Sequence, residues 1–322
     1  MDIVREVRRA ERRIRPYVRE TILEHSPVLS ELGGANVYCK LENLQHTGSF
    51  KARGALSKLL SLTEEQRACG VVTASSGNHG AAVAYSLGKL GATGIVFVPQ
   101  IADPAKVQAI ERLGAEVRFF GQDCAEAEVH ARDYAAQHGM VYVSPYNDPQ
   151  VIGGQGTIGV ELVRQLEPID VVYASLGGGG LISGISALLK SVQPVVQVIG
   201  CSPQNSQVMI QSVRAGRILD LPSLPTLSDG TAGGIEPGAI TFELCQALVD
   251  GYLTVTEEEI RAALLLFVEA HHMLIEGAAA VAVAAYLKSS ERFVGKNVVI
   301  VICGANISLQ TLREVLSEAV PI

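Results

Sequence analysis

Several residue classes are scarce in this chain of 322 residues. There is no tryptophan, aromatic residues make up 5%, and charged residues make up 18%. Acidic residues outnumber basic ones, 33 against 26, which gives a net charge of −7. Nucleic-acid-binding domains normally carry a basic patch or stripe. The sequence therefore predicts no nucleic-acid partner, and the low charged fraction predicts a well-packed globular protein.

The chain also lacks long hydrophobic runs and cysteine motifs. No stretch approaches the roughly 18 apolar residues of a membrane span, and the N-terminus does not resemble a signal peptide. The six cysteines are scattered, without a C-x-x-C pair, and no His, Cys or carboxylate spacing suits zinc. We expect free thiols, a cytoplasmic location, no membrane association and no metal site. The arginine-rich stretch between Arg5 and Arg19 predicts a solvated helix face or a subunit contact.

From Cys69 onward, short apolar runs alternate with segments of helical period. Runs such as Val71–Ala74, Gly94–Val98 and Val298–Ile302 are apolar throughout, which is typical of strands buried on both faces. The alternation predicts an α/β fold with an open, mostly parallel sheet flanked by helices. Ligands of such folds bind beyond the carboxyl ends of the strands, so we searched the strand exits for functional residues.

Four consecutive glycines follow the predicted strand Val171–Ala174. They are Gly177, Gly178, Gly179 and Gly180, and they lead through Leu181 into a predicted helix. Backbone N–H groups of such a loop, together with a helix N-terminus, can bind one phosphate group. The dinucleotide pattern G-x-G-x-x-G does not fit, and G-x-x-x-x-G-K-[ST] is absent. The alternative is a tight turn that only begins a helix.

A second strand exit carries hydroxyl and amide side chains. The loop Ser75, Ser76, Gly77, Asn78, His79 and Gly80 follows the run Val71–Ala74 and precedes a predicted helix. Hydroxyls and free N–H groups at a positive helix end suit a carboxylate. Ordinary N-capping by Ser or Asn is the alternative.

Lys51 opens a predicted helix over Ala52–Leu60, where a cation opposes the helix dipole. A desolvated amine beside Phe50 would have a lowered pKa and could form a Schiff base. A surface lysine is the alternative. Cys303, at the end of the run Val298–Ile302, is either a small buried residue or a group that contacts a ligand.

Together these segments resemble the fold type II enzymes that use pyridoxal 5′-phosphate, and most closely the serine/threonine dehydratase and serine racemase group. The sequence KLENLQHTGSFKARGA at residues 40–55, the SSGNHG loop, the GGQGT segment at residues 153–157 and the glycine loop occur in the family's order. The chain is also similar to hydroxyectoine-utilisation dehydratases. The resemblance implies a two-domain fold like that of the tryptophan synthase β chain. Residues 1–68 and 147–322 would form the large domain, and residues 69–146 a smaller mobile one.

The resemblance also implies roles for individual residues. Lys51 would hold the cofactor covalently and act as base, Phe50 would pack beside the cofactor ring, and Asn78 would bind the ring hydroxyl. Residues 177–181 would bind the phosphate, and Cys303 would lie near the pyridine nitrogen. The implied substrate-binding residues are Ser75, Ser76, Gly77, Asn78, His79 and Gln155, with Ser76 as a second acid or base. The acid that precedes Asp229 and Gly230 in cation-binding members is missing here, which leaves a cation requirement open.

The implied activity is elimination of water from a small L-β-hydroxy amino acid such as threonine or serine, giving a 2-oxo acid and ammonia. One alternative is a dehydratase whose substrate is a specialised hydroxyamino acid, either 3-hydroxyaspartate or a compound derived from hydroxyectoine. Another alternative is an amino acid racemase. A β-replacement synthase of the same fold, a dinucleotide oxidoreductase and a non-catalytic binding protein are further alternatives. The family suggests a homodimer.

Overall fold

A computed structural model describes residues 1–317 of the chain, so positions 318–322 of the predicted large domain lie outside the described residues. Ten strands form two sheets. The larger sheet has the strand order β1-β2-β10-β7-β8-β9, and only β1 runs antiparallel to its neighbour. Its strands are β1 (Leu23–His25), β2 (Asn36–Leu41), β7 (Val171–Ser175), β8 (Gln197–Pro203), β9 (Gly251–Val255) and β10 (Asn297–Ile302).

The smaller sheet has the order β5-β4-β3-β6 and is parallel throughout. Its strands are β3 (Val71–Ala74), β4 (Gly94–Val98), β5 (Glu116–Phe119) and β6 (Val141–Tyr142). All four strands fall between residues 69 and 146, the segment that the sequence predicts as a separate domain. The α/β class with mostly parallel sheets is therefore confirmed.

Fourteen α-helices lie around the two sheets in the described part of the chain. The first seven are α1 (Ile3–Ile14), α2 (Pro27–Gly33), α3 (Lys51–Ser61), α4 (Glu64–Cys69), α5 (Asn78–Leu90), α6 (Pro104–Arg112) and α7 (Cys124–His138). The others are α8 (Pro149–Gln165), α9 (Gly180–Val192), α10 (Val208–Ala215), α11 (Ile240–Leu248), α12 (Glu257–His271), α13 (Gly277–Ser289) and α14 (Leu309–Ser317). Within residues 1–317, no helix combines the length and hydropathy needed to cross a bilayer.

The central strands of the larger sheet are buried almost throughout: every residue of β7 is buried, as is every residue of β10 after Asn297. Strands β7 and β10 contribute fully buried Val and Ile side chains, and α13 packs against both through alanines such as Ala279 and Ala282. A strand covered on both faces has no polar face, which explains its continuous apolar sequence. The capping box formed by Thr256 and Glu259 at the start of α12 is also present, as the sequence predicts.

Helix α8 begins earlier than the sequence indicated. The sequence predicts a helix over Thr157–Gln165, whereas the structure has one continuous helix from Pro149 to Gln165, capped by Asp148. The glycines of the GGQGT segment therefore lie inside a helix. They allow close packing, because a Cβ atom on Gly153 would lie 2.8 Å from a side-chain carbon of Glu6 in α1. Helix α8 packs in this way against α1, α3 and α9.

Candidate active site

A cleft of about 910 Å³ lies between the two sheets, at the ends of β3, β7 and β10. Its walls include most of the residues that the sequence selects. They are Phe50, Lys51, Ser75, Ser76, Gly77, Asn78, His79, Gly177, Gly178, Gly179, Gly180, Leu181 and Cys303. These residues come from four separate chain segments, which the parallel topology brings to one place because the strands share their direction.

Lys51 is the first residue of α3, and its side chain enters the cleft. The Nζ atom donates a hydrogen bond to the carbonyl oxygen of Pro145 at 2.8 Å and lies 5.3 Å from the ring centre of Phe50. Removal of the amine from bulk water lowers the pKa of Lys51 to about 8, against an opposing effect of Cys303 and Glu276. A substantial neutral fraction near neutral pH makes this amine a usable nucleophile and base.

The glycine loop leads directly into the start of α9. Gly179 has a φ of +86°, which L side chains rarely adopt, and the helix has no side-chain cap. A Cβ atom on Gly177 would lie 2.9 Å from the Cα atom of Thr231, and one on Gly178 would overlap the ring of Tyr146. The loop thus has no room for side chains, and the first N–H groups of α9 are free to bind an anion.

The loop from Ser75 to His79 forms the opposite wall at the start of α5. His79 is buried, and its Nε2 atom lies 3.0 Å from the carbonyl oxygen of Val143, so Nε2 carries the hydrogen. Burial and the nearby charge of Lys51 lower the pKa of His79 to about 3. The imidazole is therefore neutral at physiological pH and orients the loop rather than supplying positive charge.

Cys303 follows β10 and is 2% exposed. Its backbone carbonyl accepts a hydrogen bond from the N–H of Phe50, which links the end of β10 to the segment that carries Lys51. Burial, together with the carboxyl group of Glu276, raises the pKa of the Cys303 thiol well above its ordinary value. The thiol therefore stays neutral, and it places no negative charge beside a ligand.

The resemblance implies Gln155 as a substrate-binding residue, and the structure places this side chain apart from the other candidate residues. Gln155 lies inside α8, is 1% exposed, and is not part of the cleft wall. Its Oε1 atom accepts a hydrogen bond from the N–H of Gly54 at 3.2 Å, so the side chain fixes α3 against α8. The glycines on either side of Gln155 serve helix packing, and its role in substrate binding stays a prediction from the resemblance.

Two residues at the cleft, Glu276 and Tyr146, stand out among those that the sequence did not predict. Glu276 precedes α13, is 3% exposed, and contacts Asn78, Cys303 and the backbone of Asn306. Tyr146 lies over the glycine loop, and its hydroxyl accepts a hydrogen bond from the N–H of Glu236 at 2.9 Å. A glutamate beside a glycine at a helix start is a common pattern, so the sequence carried no distinct signal for it.

Contacts across the cleft join the part of the chain with the smaller sheet to the loop between α10 and α11. Lys106 of α6 pairs with Asp229 at 2.9 Å, and Arg132 of α7 pairs with Glu236 at 2.6 Å. Among residues 1–317, no group of three or more His, Cys, Asp or Glu side chains could hold a metal ion.

The residues of the cleft fit the cofactor that the resemblance implies. The glycine loop offers several N–H groups to one phosphate, and the hydroxyl of Thr241, close to Gly179, is buried without a hydrogen-bond partner among the described residues. Lys51 supplies an amine with a lowered pKa, and Phe50 lies beside it. These groups suit a ligand that carries both a phosphate group, for the N–H groups of the loop, and an aldehyde, for the Lys51 amine.

Comparison with known proteins gives the same assignment. Residues 14–304 match the family model described as pyridoxal-phosphate dependent enzyme. An L-threonine ammonia-lyase of Thermotoga maritima is 42% identical over 318 residues, which cover 99% of this chain and 79% of the relative. A catabolic L-threonine dehydratase of Escherichia coli is 36% identical over 308 residues, which cover 95% of this chain and 93% of the relative.

Solved structures with the same fold include the processed form of threonine deaminase isoform 2 from Solanum lycopersicum. It is 33% identical, has a TM-score of 0.93, and covers 98% of this chain and 92% of its own. Serine racemase from Dictyostelium discoideum is 35% identical, with a TM-score of 0.88 and coverage of 95% and 99%. On the matched length and the cleft geometry, the chain belongs to the family of pyridoxal-phosphate dependent enzymes, in its fold type II.

Proposed function

We propose that this protein is an ammonia-lyase that removes water from a small L-β-hydroxy amino acid, threonine or serine, and releases a 2-oxo acid and ammonia. The observation that carries the proposal is the Lys51 amine in a cleft opposite a phosphate-type glycine loop. Relatives at 36–42% identity that are named as threonine ammonia-lyases or dehydratases support it. When bound, the cofactor withdraws electrons from the α-carbon of the substrate.

The residues of the cleft divide the remaining tasks. We propose that Lys51 holds the cofactor and accepts the α-proton, that Phe50 packs beside the ring, and that residues 177–181 bind the phosphate. Ser75, Ser76, Gly77 and the amides around Asn78 and His79 would bind the substrate carboxylate. The α-proton and the β-hydroxyl leave as water, and hydrolysis of the remaining imine gives the 2-oxo acid and ammonia.

The neutral thiol of Cys303 favours elimination. A carboxylate beside the pyridine nitrogen would keep that nitrogen protonated, whereas a thiol with a raised pKa does not. With Cys303 adding no negative charge at this position, a bound cofactor would supply a weaker electron sink, which would favour loss of a β-substituent over reprotonation of the α-carbon. The proposal therefore favours elimination over transamination.

A panel of amino acids tests the proposal directly. Release of 2-oxo acid is measured with L- and D-serine, L- and D-threonine, both 3-hydroxyaspartate diastereomers and phenylserine. Turnover of L-threonine or L-serine supports the proposal, whereas turnover of only an acidic or bulky member would replace it with the specialised substrate. Lys51→Ala must abolish turnover, and Lys58→Ala, on the same helix but paired with Asp148 outside the cleft, must retain it.

Racemisation is the second candidate activity, since Ser76 lies in the cleft wall and serine racemases share the fold. A hydroxyl on the face of the substrate opposite Lys51 would return the α-proton with inversion. Chiral chromatography after incubation with L-serine tests this activity. D-serine that disappears with Ser76→Ala supports it, and the absence of D-serine removes it.

We further propose the domain division, location and assembly of the protein. Residues 1–68 and 147–322 form the large domain and residues 69–146 the small one, which the division of the strands between two sheets supports. A cytoplasmic location is supported by six free cysteines. A homodimer is suggested by the family resemblance, and light scattering coupled to size exclusion measures it.

A further inference from the structure

We propose that Glu276 is a positioning residue, whose buried carboxyl group fixes the orientation of the Asn78 amide and so keeps one amide N–H of Asn78 available to the bound cofactor. The inference rests on the proposed roles of Lys51 and Asn78 in holding that cofactor. It assigns a task to a side chain that no sequence motif selected.

The Asn78 amide is held at both ends. Its Nδ2 atom donates to the two carboxyl oxygens of Glu276, at 3.0 and 2.9 Å, while its Oδ1 atom accepts from the Nδ2 atom of Asn306. An amide nitrogen carries two hydrogens, and one hydrogen directed at the carboxyl group makes both of these contacts. The second hydrogen remains for another acceptor in the cleft.

Two backbone groups set the direction of this chain of hydrogen bonds. The carbonyl oxygen of Thr47 can only accept, so it requires the Nδ2 atom of Asn306, which it meets at 2.8 Å. The N–H of Asn306 can only donate, and it donates to the Oε2 atom of Glu276 at 3.2 Å. Between these fixed ends, Asn78 satisfies its neighbours in one orientation only, with oxygen towards Asn306 and nitrogen towards Glu276.

The carboxyl group of Glu276 is not used to cap a helix. Glu276 occupies the N-cap position of α13, yet its side chain makes no capping hydrogen bond, and Ser, Thr, Asp or Asn is usual there. The surrounding structure leaves room for the carboxyl group, because a Cβ atom on Gly304 would lie 2.6 Å from its Oε1 atom. Burial raises the pKa of Glu276, while the hydrogen bond from Asn78 acts in the opposite direction. A buried carboxyl group that makes no capping hydrogen bond, and that contacts Asn78 and Asn306 instead, points to a task at the cleft.

The test is a double-mutant cycle on cofactor affinity. The protein is freed of cofactor and titrated with pyridoxal phosphate, and the dissociation constant is read from the absorbance of the bound cofactor. Glu276→Gln replaces one of the two carboxyl oxygens with an NH2 donor, so the side chain can no longer accept hydrogen bonds from both Asn78 and the N–H of Asn306 through two oxygens. We expect the dissociation constant to rise about tenfold. Because Glu276 acts through Asn78, the variant with both Glu276→Gln and Asn78→Ala should bind within about threefold of Asn78→Ala alone.

Ile275→Val is the matched control. Ile275 is 1% exposed and adjacent to Glu276, but it makes no polar contact in the cleft, and we expect a change of less than about twofold in the dissociation constant. An unchanged affinity in Glu276→Gln would overturn the inference. The inference would also be overturned if the rise in the dissociation constant of the double variant equalled the product of the rises in the two single variants, since Glu276 and Asn78 would then act independently.

A second variant applies if Glu276→Gln does not fold. Asn306 is exposed, and Asn306→Ala removes the donor that fixes the oxygen end of Asn78. We expect a rise of about threefold or more in the dissociation constant, again absent when Asn78 is already alanine. An unchanged value would refute the inference. The measurement needs no substrate, so a failure of the proposed elimination activity would leave this result interpretable.

Discussion

Glu161 is the side chain whose replacement gives the sharpest stability prediction. It lies on α8, fully buried, and pairs with Arg53 and Lys40, each at 2.6 Å, and with Arg15 at 2.8 Å. The backbone N–H of Thr21 also donates to it, at 3.2 Å. Arg53 is two residues from Lys51 on α3, so this cluster anchors the helix that carries the lysine. Glu161→Gln keeps the shape of the side chain and removes its charge.

The expected loss of stability follows from the charges that remain. Arg53 and Lys40 would stay buried with only Glu42 to balance them, and breaking a buried ion pair by removing one partner costs about 3–5 kcal/mol. The pKa of Glu161 gives a similar figure. Burial by itself would raise it, but Arg53 and Lys40 outweigh burial and lower it from 4.5 to about 2. At 1.36 kcal/mol per pKa unit, this difference corresponds to about 3 kcal/mol.

Thermal and urea unfolding measure the effect. With about 2.1 cal/mol/K per residue, a loss of 3–5 kcal/mol in a chain of this length lowers the Tm by roughly 4–7 °C. Glu20→Gln is the control. Glu20 is 47% exposed and pairs only with Arg164, at 3.2 Å, so we expect a loss below about 1 kcal/mol.

The pH dependence gives a second check on the same variant. Because the folded-state pKa of Glu161 is depressed, its contribution is fully present above about pH 4.5 and is lost as the pH falls through about 2. The stability difference between the parent protein and Glu161→Gln should therefore be largest at neutral pH and narrow in acid. If the free energies of unfolding of the parent protein and Glu161→Gln differ by less than about 1 kcal/mol at neutral pH, the argument that Arg53 and Lys40 are left uncompensated without Glu161 is refuted.

Three further predictions concern the cleft. Gly178→Ala, whose new methyl group would overlap the Tyr146 ring, should raise the dissociation constant of pyridoxal phosphate at least about tenfold in an absorbance titration, and an unchanged value would show that the loop can move. In the cofactor-free protein, labelling of Lys51 by an amine-reactive reagent, measured by peptide mass spectrometry, should increase with pH around a midpoint near 8, because burial lowers the pKa of this amine. A midpoint above about 10 would contradict the lowered pKa. Lys106→Met removes the partly exposed pair with Asp229 across the cleft, so steady-state kinetics should show KM raised by a few fold with kcat changed less than about twofold, and a large fall in kcat would assign Lys106 a different role.

Local sequence determined several strands, among them β3 and β4, and the phosphate-type loop. Strand β3 (Val71–Ala74) and strand β4 (Gly94–Val98) have the predicted bounds, because short apolar runs between glycine and helical segments leave few alternatives. The glycines at 177–180 predicted a close backbone approach, and the structure leaves no room there for side chains. Both features depend on residues adjacent in the chain, which is why sequence reasoning finds them.

Tertiary structure decided which residues meet. Strands β2 and β9 have a less distinctive pattern and were not predicted, although β2 pairs with β10 beside the cleft. Gln155 belongs to a glycine-rich segment, but helix packing places its side chain against Gly54 and outside the cleft. The composition of a segment does not determine which of its sides faces a ligand.

The buried charged residues also have partners that could not be predicted from the sequence. Lys40 and Arg53 lie within the segment that carries the family resemblance, but their partner Glu161 is more than a hundred positions away. Glu276 likewise meets Asn78 across 198 positions of the chain. A buried charge is stable only beside its partner, and that partner comes from another segment once the chain has folded. The sequence by itself therefore determined the fold class and singled out Lys51 as the candidate cofactor lysine, and the tertiary structure alone decided which buried carboxyl groups contact α3 and Asn78.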